Sequence, residues 1–218
     1  MPTLAYILLF TFLGSIGALI GGLMLLSQGK FALKVSHFLA AFAAGVLLAT
    51  AFLDLLPEAA REGETTGTNV FFWALGGILL FFALERFIHW FHHHEEYSEH
   101  EHEKEPQSVI PLLVIGDTVH NFVDGIVIAA TFLVDIQLGI VTTLAVAAHE
   151  IPQEIADFGL MLHKGLSRMR IILVNVLSSS AAFLGALITF FLGNFLSAYL
   201  PVALAATAGF FIYIAASD

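Results

Sequence analysis

Two apolar stretches of the chain carry metal-capable side chains in their middle: IGDTVHNFVDGIVIAA (residues 115–130) and LAVAAHEIPQEIADFGLML (residues 144–162). In the first, His120 and Asp124 are four residues apart, which places them one above the other on a helix face. Asp117 and Asn121 border that face. In the second, His149 pairs with Gln153 and Glu150 with Glu154, and Asp157 continues the stripe one turn later. If both stretches cross a bilayer, five carboxylates lie in or near hydrocarbon. Each costs about 2.5–3.5 kcal/mol at the bilayer centre. A polar network that only ties two helices together is the plainer reading, but the stripe is denser than that role requires. Two imidazoles with carboxylates and amide oxygens can wrap one or two divalent cations, which removes much of the cost.

The donors are nitrogen and oxygen only. They suit Zn²⁺, and also Fe²⁺, Mn²⁺, Co²⁺ or Cd²⁺, and disfavour Cu⁺, which prefers sulfur. Affinity should fall in acid, because protons compete for the lone pairs of His120 and His149. Pro152 lies within the second stripe; it removes a helix hydrogen bond and leaves the carbonyl of Ala148 free beside His149. The run His149-Glu150-Ile-Pro-Gln153 opens like the H-E-x-x-H of zinc proteases. Gln153 replaces the second histidine and Pro152 interrupts the helix, so an intramembrane metalloprotease-like enzyme is the alternative rather than the first reading. A divalent cation channel is the other; stacked strong ligands favour slow, tight binding over fast conduction.

The elements that must position these residues are membrane helices. Of 218 residues, 58% are hydrophobic and only 12% charged, against about 25% in soluble domains. The 21 Phe and 18 Gly fit a polytopic helix bundle, where glycine allows close packing. The absence of cysteine excludes disulfides and thiolate metal sites. The net charge of −10 argues against nucleic acid and acidic lipid as partners. Residues 4–26 are uncharged and long enough to span. Without a basic start, and longer than a signal-peptide core, they read as the first transmembrane helix, with a Gly17-x-x-x-Gly21 packing face. Lys30 and Lys34 fall in a short first loop. Further helices are expected over 35–56, 70–90, 109–133 and 138–162. Residues 171–217 are free of charge and supply two more, divided near Gly193, Asn194 and Pro201. That makes seven spans in one all-α domain, 1–218.

Asp54 and Glu58 form an i, i+4 carboxylate pair at the end of the second helix, before a loop at Arg61–Glu64. Asn175, Ser178, Ser179 and Ser180 offer a polar line in the sixth helix, with helix–helix hydrogen bonding as its simpler role. Residues 89–108 are the one low-complexity segment; His92, His93, His94, His100 and His102 stand there among glutamates, as an accessory metal-collecting loop or a solvated acidic one. Seven of the eight Lys and Arg residues fall in the loops after the first, third and fifth helices. That bias puts those loops, the His-rich one included, in the cytosol and the N-terminus outside. Ala44-Gly45 followed by Asp54 recurs as Ala208-Gly209 followed by Asp218, on helices of opposite direction. An inverted repeat of this kind, with a site at mid-membrane, is a transporter pattern.

His120-Asn121-Phe-x-Asp124-Gly125 and His149-Glu150-Ile-Pro-Gln153-Glu154 resemble the paired fourth- and fifth-helix signatures of the ZIP (Zrt/Irt-like) metal transporters. Asp54-Leu-Leu-Pro-Glu58 and the His-rich loop look like that family too, so the resemblance covers nearly the whole chain. It implies transport of Zn²⁺ or a similar divalent ion toward the cytosol across a cell (inner or plasma) membrane. It also implies one site of His120, Asp124, His149 and the position of Gln153, and a neighbouring one of Asn121, Asp124, Glu150 and Gln153. Asp54, Glu58, Asp117, Asp157 and Ser178 would lie along the path. The family commonly forms homodimers, and a sliding, elevator-like movement has been proposed for it. Two departures stand out. Gln153 is a neutral, weaker ligand where much of the family has a histidine or an acid, with Glu154 close enough to compensate. The family has eight helices, and the chain stops at Asp218, where the repeat predicts a Leu-Leu-Pro-Glu-like continuation, so the eighth is expected to be absent.

Overall fold

A computed structural model describes residues 2–93, 109–196 and 199–217. Among them the chain is helical throughout, without strands. In order, the helices are α1 (Pro2–Gly14), α2 (Ile20–Ala49), α3 (Leu56–Thr66), α4 (Val70–His93), α5 (Val109–Val134), α6 (Ile136–His163), α7 (Arg168–Ser179), α8 (Ala181–Leu196) and α9 (Leu200–Ser217). Several join end to end. A single 3₁₀ turn, Ile16–Leu19, links α1 to α2, and a π-helical turn, Thr50–Leu55, links α2 to α3. Five helical stretches are long and apolar enough to cross a membrane: Thr3–Val35, Phe38–Thr66, Leu113–Val134, Arg168–Gly193 and Leu200–Ser217. In α4 the apolar stretch is shorter, Val70–Leu84. With 28 residues, α6 has the length but not the hydropathy, because its second half carries the polar stripe. The seven expected spans thus correspond to α1 with the start of α2, the rest of α2 with α3, α4, α5, α6, α7 with α8, and α9.

Several boundaries differ from expectation for identifiable reasons. Lys30 and Lys34 do not form a loop: only Gln28 (φ −138°, ψ 54°) leaves helical geometry, and both lysines lie in helix beyond that turn. The expected loop at Arg61–Glu64 is the body of α3, which ends where Gly67 (φ 70°) supplies the left-handed cap. The sixth span is interrupted at Ser180, whose hydroxyl bonds back to the carbonyl of Val176. Pro152 does not break α6, which runs on through it. Asp135 caps the start of α6, its carboxylate accepting from the amides of Gln137 (2.8 Å) and Leu138 (3.1 Å).

The main helix pairs are α2 with α6, α5 with α8, and α4 with α9. Lipid tails are as apolar as leucine, so such pairs are held by close packing rather than by water exclusion. Small residues make that packing close. A Cβ on Gly125 would strike the carbonyl of Ala182, and one on Gly185 that of Phe122, so α5 and α8 meet backbone to backbone. Gly77 and Gly209 do the same between α4 and α9. At the α2–α6 contact the close residues are Gly21, against the carbonyl of Ile151, and Gly22, against the Phe158 ring; Gly17 faces only its own preceding turn. The two glycines matched by the repeat differ in role: Gly209 packs against α4, while Gly45 has nothing within 4 Å. Hydroxyls deep in the bundle bond to their own helix, as Thr131 does to Val127 and Thr143 to Gly139. Outward-facing phenylalanines such as Phe71 (79% exposed) and Phe38 (76%) would be costly in water and suit lipid.

Candidate metal site

The stripes of α5 and α6 face each other across the bundle. Of the sequence-predicted ligands, His120, Asp124, His149 and Glu150 converge, one donor atom from each lying within 4.8 Å of all the others. The Nε2 atoms of His120 and His149 are 3.1 Å apart. His120 Nε2 lies 3.2 Å from Glu150 Oε1 and 3.8 Å from Asp124 Oδ2. His149 Nε2 lies 3.4 Å from Asp124 Oδ2 and 3.8 Å from Glu150 Oε1. Metal–donor bonds of about 2.0–2.2 Å in a tetrahedron place donors about 3.3 Å apart. The five distances straddle that value.

Three features make these atoms ready to hold a cation. The Nδ1 of His149 is 3.1 Å from the carbonyl of Ala145, one turn earlier. Donation there puts the ring proton on Nδ1 and leaves Nε2 with a free lone pair, the usual outer-shell arrangement of a metal-binding histidine. Asp124 Oδ2 and both carboxylate oxygens of Glu150 are buried without hydrogen-bond partners, a costly condition in a dry interior unless a cation or protons relieve it. Two neutral imidazoles and two carboxylates also sum to −2, so a divalent cation would complete a neutral cluster. Such a cluster costs far less in hydrocarbon than its separate charges.

An apolar wall, not anticipated from sequence, closes one side. Phe81 of α4 meets the His120 ring edge-on at 5.8 Å, and Phe211 of α9 meets that of His149 at 6.3 Å. Phe210 and Tyr213 pack on Phe81 at 5.6 and 5.7 Å. No periodicity distinguishes these aromatics from lipid-facing ones; only the tertiary contact does.

The other predicted residues fall in several places. Glu150, which the resemblance placed in the neighbouring site, also lies beside the two histidines, and Gln153, one turn on, is half-buried. Asn121 donates from Nδ2 to Asp117 Oδ1 (2.9 Å) and to the Asp117 carbonyl (3.1 Å), which leaves its own Oδ1 unpartnered. Asp117, Glu154, Asp157 and Ser178 are buried on the side of the quartet toward the α6–α7 turn. Ser178 hydrogen-bonds to Thr118 (2.9 Å). Asp54 lies half-buried in the π-helical turn, and Glu58 is held by Arg61, which also reaches Glu62 at 3.0 Å. His92 and His93 end α4; His94, His100 and His102 lie outside the described residues.

Comparisons with known proteins point to a family. The family model described as ZIP Zinc transporter matches residues 2–112 and again 107–218. Zinc transporter ZIP13 of Pongo abelii is 33% identical over 177 residues, which is 76% of this chain and 50% of that protein. Zinc transporter ZIP6 of Homo sapiens is 35% identical over 127 residues, 58% of this chain and 17% of that protein. Zinc transporter ZIP4 of Mus musculus is 39% identical over 107 residues, 49% of this chain and 16% of that protein. The chain therefore spans about half the length of the first of these relatives and under a fifth of the other two. Matched along its length by one family model and built as a bundle of apolar helices, the chain is an integral membrane protein that belongs to the ZIP zinc transporter family.

Proposed function

We propose that this protein carries divalent metal cations, Zn²⁺ foremost, across a cell membrane toward the cytosol, and that the cation passes through the quartet of His120, Asp124, His149 and Glu150. The single observation that carries the reading is the donor geometry: five donor–donor distances of 3.1–3.8 Å among two buried imidazoles and two buried carboxyl groups. Asn121, Gln153 and Glu154 extend the ligand set. Asp117, Asp157 and Ser178 continue the path toward the cytosol, Asp54 and Glu58 lie toward the outside, and the His-rich segment collects metal. The direction rests on the Lys and Arg bias, which also puts the N-terminus outside. The names of the relatives support transport over the metalloprotease alternative, and Gln153 leaves α6 without the second histidine such an enzyme needs. A closed, strongly ligating site favours a carrier over a channel, whose ions must leave as easily as they arrive. By the family resemblance the chain forms a homodimer, which mass measurement of the detergent-solubilised protein checks.

The test is ⁶⁵Zn²⁺ influx into proteoliposomes holding the parent or the His120→Ala, His149→Ala double variant. Influx that disappears in the variant supports the path. Equal influx in both rules out the quartet, and no influx in either rules out transport by this chain alone.

A further inference from the structure

The two imidazoles of the quartet stand in a row of four rings drawn from four helices. Phe81 of α4 is near-perpendicular to His120 of α5 (86°, centroids 5.8 Å apart), and His120 to His149 of α6 (87°, 5.3 Å). Phe211 of α9 closes the row at 64° to His149 (6.3 Å). Aromatic pairs prefer such edge-to-face arrangements. The two imidazoles are held differently. His149 is oriented by the carbonyl of Ala145. Every polar contact of His120 runs through Nε2, and no described residue hydrogen-bonds to its Nδ1. His120 is also the less buried, with 12% of its side chain exposed against 4% for His149. Packing by Phe81 therefore stands where a hydrogen bond orients the other ring. Phe81 is itself fixed. It lies one turn beyond Gly77 on the same face of α4, and Gly77 meets the backbone of Ala206 on α9 too closely to admit a Cβ. Phe210 braces the Phe81 ring at 5.6 Å.

Resting on the reading of the quartet as the cation's path, we propose that Phe81 is a specificity-determining residue: it keeps the His120 side of the quartet packed and dry, so that the cation is held by four protein donors and no water. One donor from each of the four side chains already supplies the tetrahedral set that Zn²⁺ accepts. Mg²⁺ demands octahedral geometry and dehydrates reluctantly, and Mn²⁺ shares its preference for carboxylate and water oxygen. A water bound to the cation on this side would need hydrogen-bond partners of its own, and phenylalanine offers none. Ions that must keep water are thereby disfavoured, while Zn²⁺, content with four ligands, is admitted. The donors alone do not make that choice, because two of the four are carboxylates and suit harder ions as well. Discrimination thus falls to a side chain that carries no donor atom.

The experiment measures Zn²⁺ affinity of the full chain in nanodiscs by chelator competition and Mn²⁺ affinity by electron paramagnetic resonance. The visible absorption of bound Co²⁺ reports coordination number. In the parent the Co²⁺ bands should be the intense ones of a four-coordinate site, a result that needs no variant. In Phe81→Ala, Zn²⁺ affinity should fall about tenfold or more, as when the support of a ligand is removed. Mn²⁺ should hold or tighten, and the Co²⁺ bands should fade toward the weak ones of six-coordination. Phe81→Leu refills the space with an apolar side chain and should restore the parent's Zn²⁺-to-Mn²⁺ ratio and spectrum. Phe82→Ala is the control for a general loosening of α4 against α9, since Phe82 is 44% exposed and meets Tyr213 rather than a ligand. Weak, six-coordinate bands in the parent overturn the proposal. So does a ratio that is unchanged in Phe81→Ala or equally altered in Phe82→Ala, and so does a parent that binds no Zn²⁺. Selectivity that depends on Phe81 with zinc influx absent would sink the transport reading alone; influx intact with selectivity independent of Phe81 would sink this inference alone.

Discussion

Gly125 follows Asp124 directly, at the point where α5 meets α8, and replacing it by alanine tests whether that contact sets the metal geometry. The new Cβ would meet the carbonyl oxygen, carbonyl carbon and Cα of Ala182. All three are main-chain atoms, so no rotamer change relieves the clash and one helix must move. Overpacking of this kind costs about 1–3 kcal/mol, which is roughly a 5- to 150-fold shift in the folding equilibrium. Lipid offers no recompense, because the separated faces gain nothing by staying out of it. The same displacement carries Asp124 with it. Metal–donor distances tolerate only about 0.2 Å of error, and disturbing the support of a ligand typically weakens metal binding about 10- to 100-fold. Thermal unfolding in detergent reads the first effect, and Zn²⁺ competition against a chromogenic chelator reads the second. Gly45→Ala is the control, since a Cβ there meets nothing within 4 Å. Should Gly125→Ala unfold and bind Zn²⁺ just as Gly45→Ala does, the close contact is not what holds α5 in register.

Other expectations follow from single residues. Protons compete with metal for the lone pairs of two imidazole ligands, so Zn²⁺ affinity should be clearly lower at pH 5.5 than at pH 7.5; titrations that superimpose at the two pH values exclude imidazole ligation. Gln153→His places a stronger ligand one turn from His149 and should tighten Zn²⁺ binding roughly tenfold or more, measured by the same chelator competition; unchanged affinity would show that position 153 faces away from the ion. Asp135→Ala removes two hydrogen bonds at the start of α6 and should lower stability by about 1 kcal/mol without altering Zn²⁺ affinity, so a large affinity change would contradict its role as a cap alone.

What could be read from the chain beforehand was whatever local chemistry determines. The apolar runs announce helices, since no other element satisfies its backbone within lipid on its own. The spacing of His120 with Asp124, of His149 with Gln153 and of Glu150 with Glu154 marks the polar faces of the two helices. What escaped reading was tertiary. Gly17 and Gly21 are the same residue type at helical spacing, yet only Gly21 meets another helix closely, because that depends on where α6 runs. The redirection of α2 takes one non-helical residue, Gln28 beside Gly29, after which the helix resumes, so the two lysines beyond it look like a loop. The π-helical turn at Asp54 leaves no mark on hydrophobic spacing. That Glu150 comes within 3.2 Å of His120 depends on how α5 and α6 are rotated against each other, finer than a motif records. Phe81 and Phe211 became walls of the site only once α4 and α9 had docked.

The unpartnered carboxylates of α5 and α6 also bear on how long each copy of the protein lasts. A cation that binds the folded bundle and not the unfolded chain stabilises it by mass action, by about 2.7 kcal/mol when its concentration is 100 times its dissociation constant. Half-life against proteolysis then tracks the cation supply, since degradation follows the population of opened molecules when opening is fast. Cation-starved membranes would clear such a protein fastest and replete ones would retain it. Cellular abundance would then follow the supply of the bound cation, through the unsatisfied oxygens of Asp124 and Glu150.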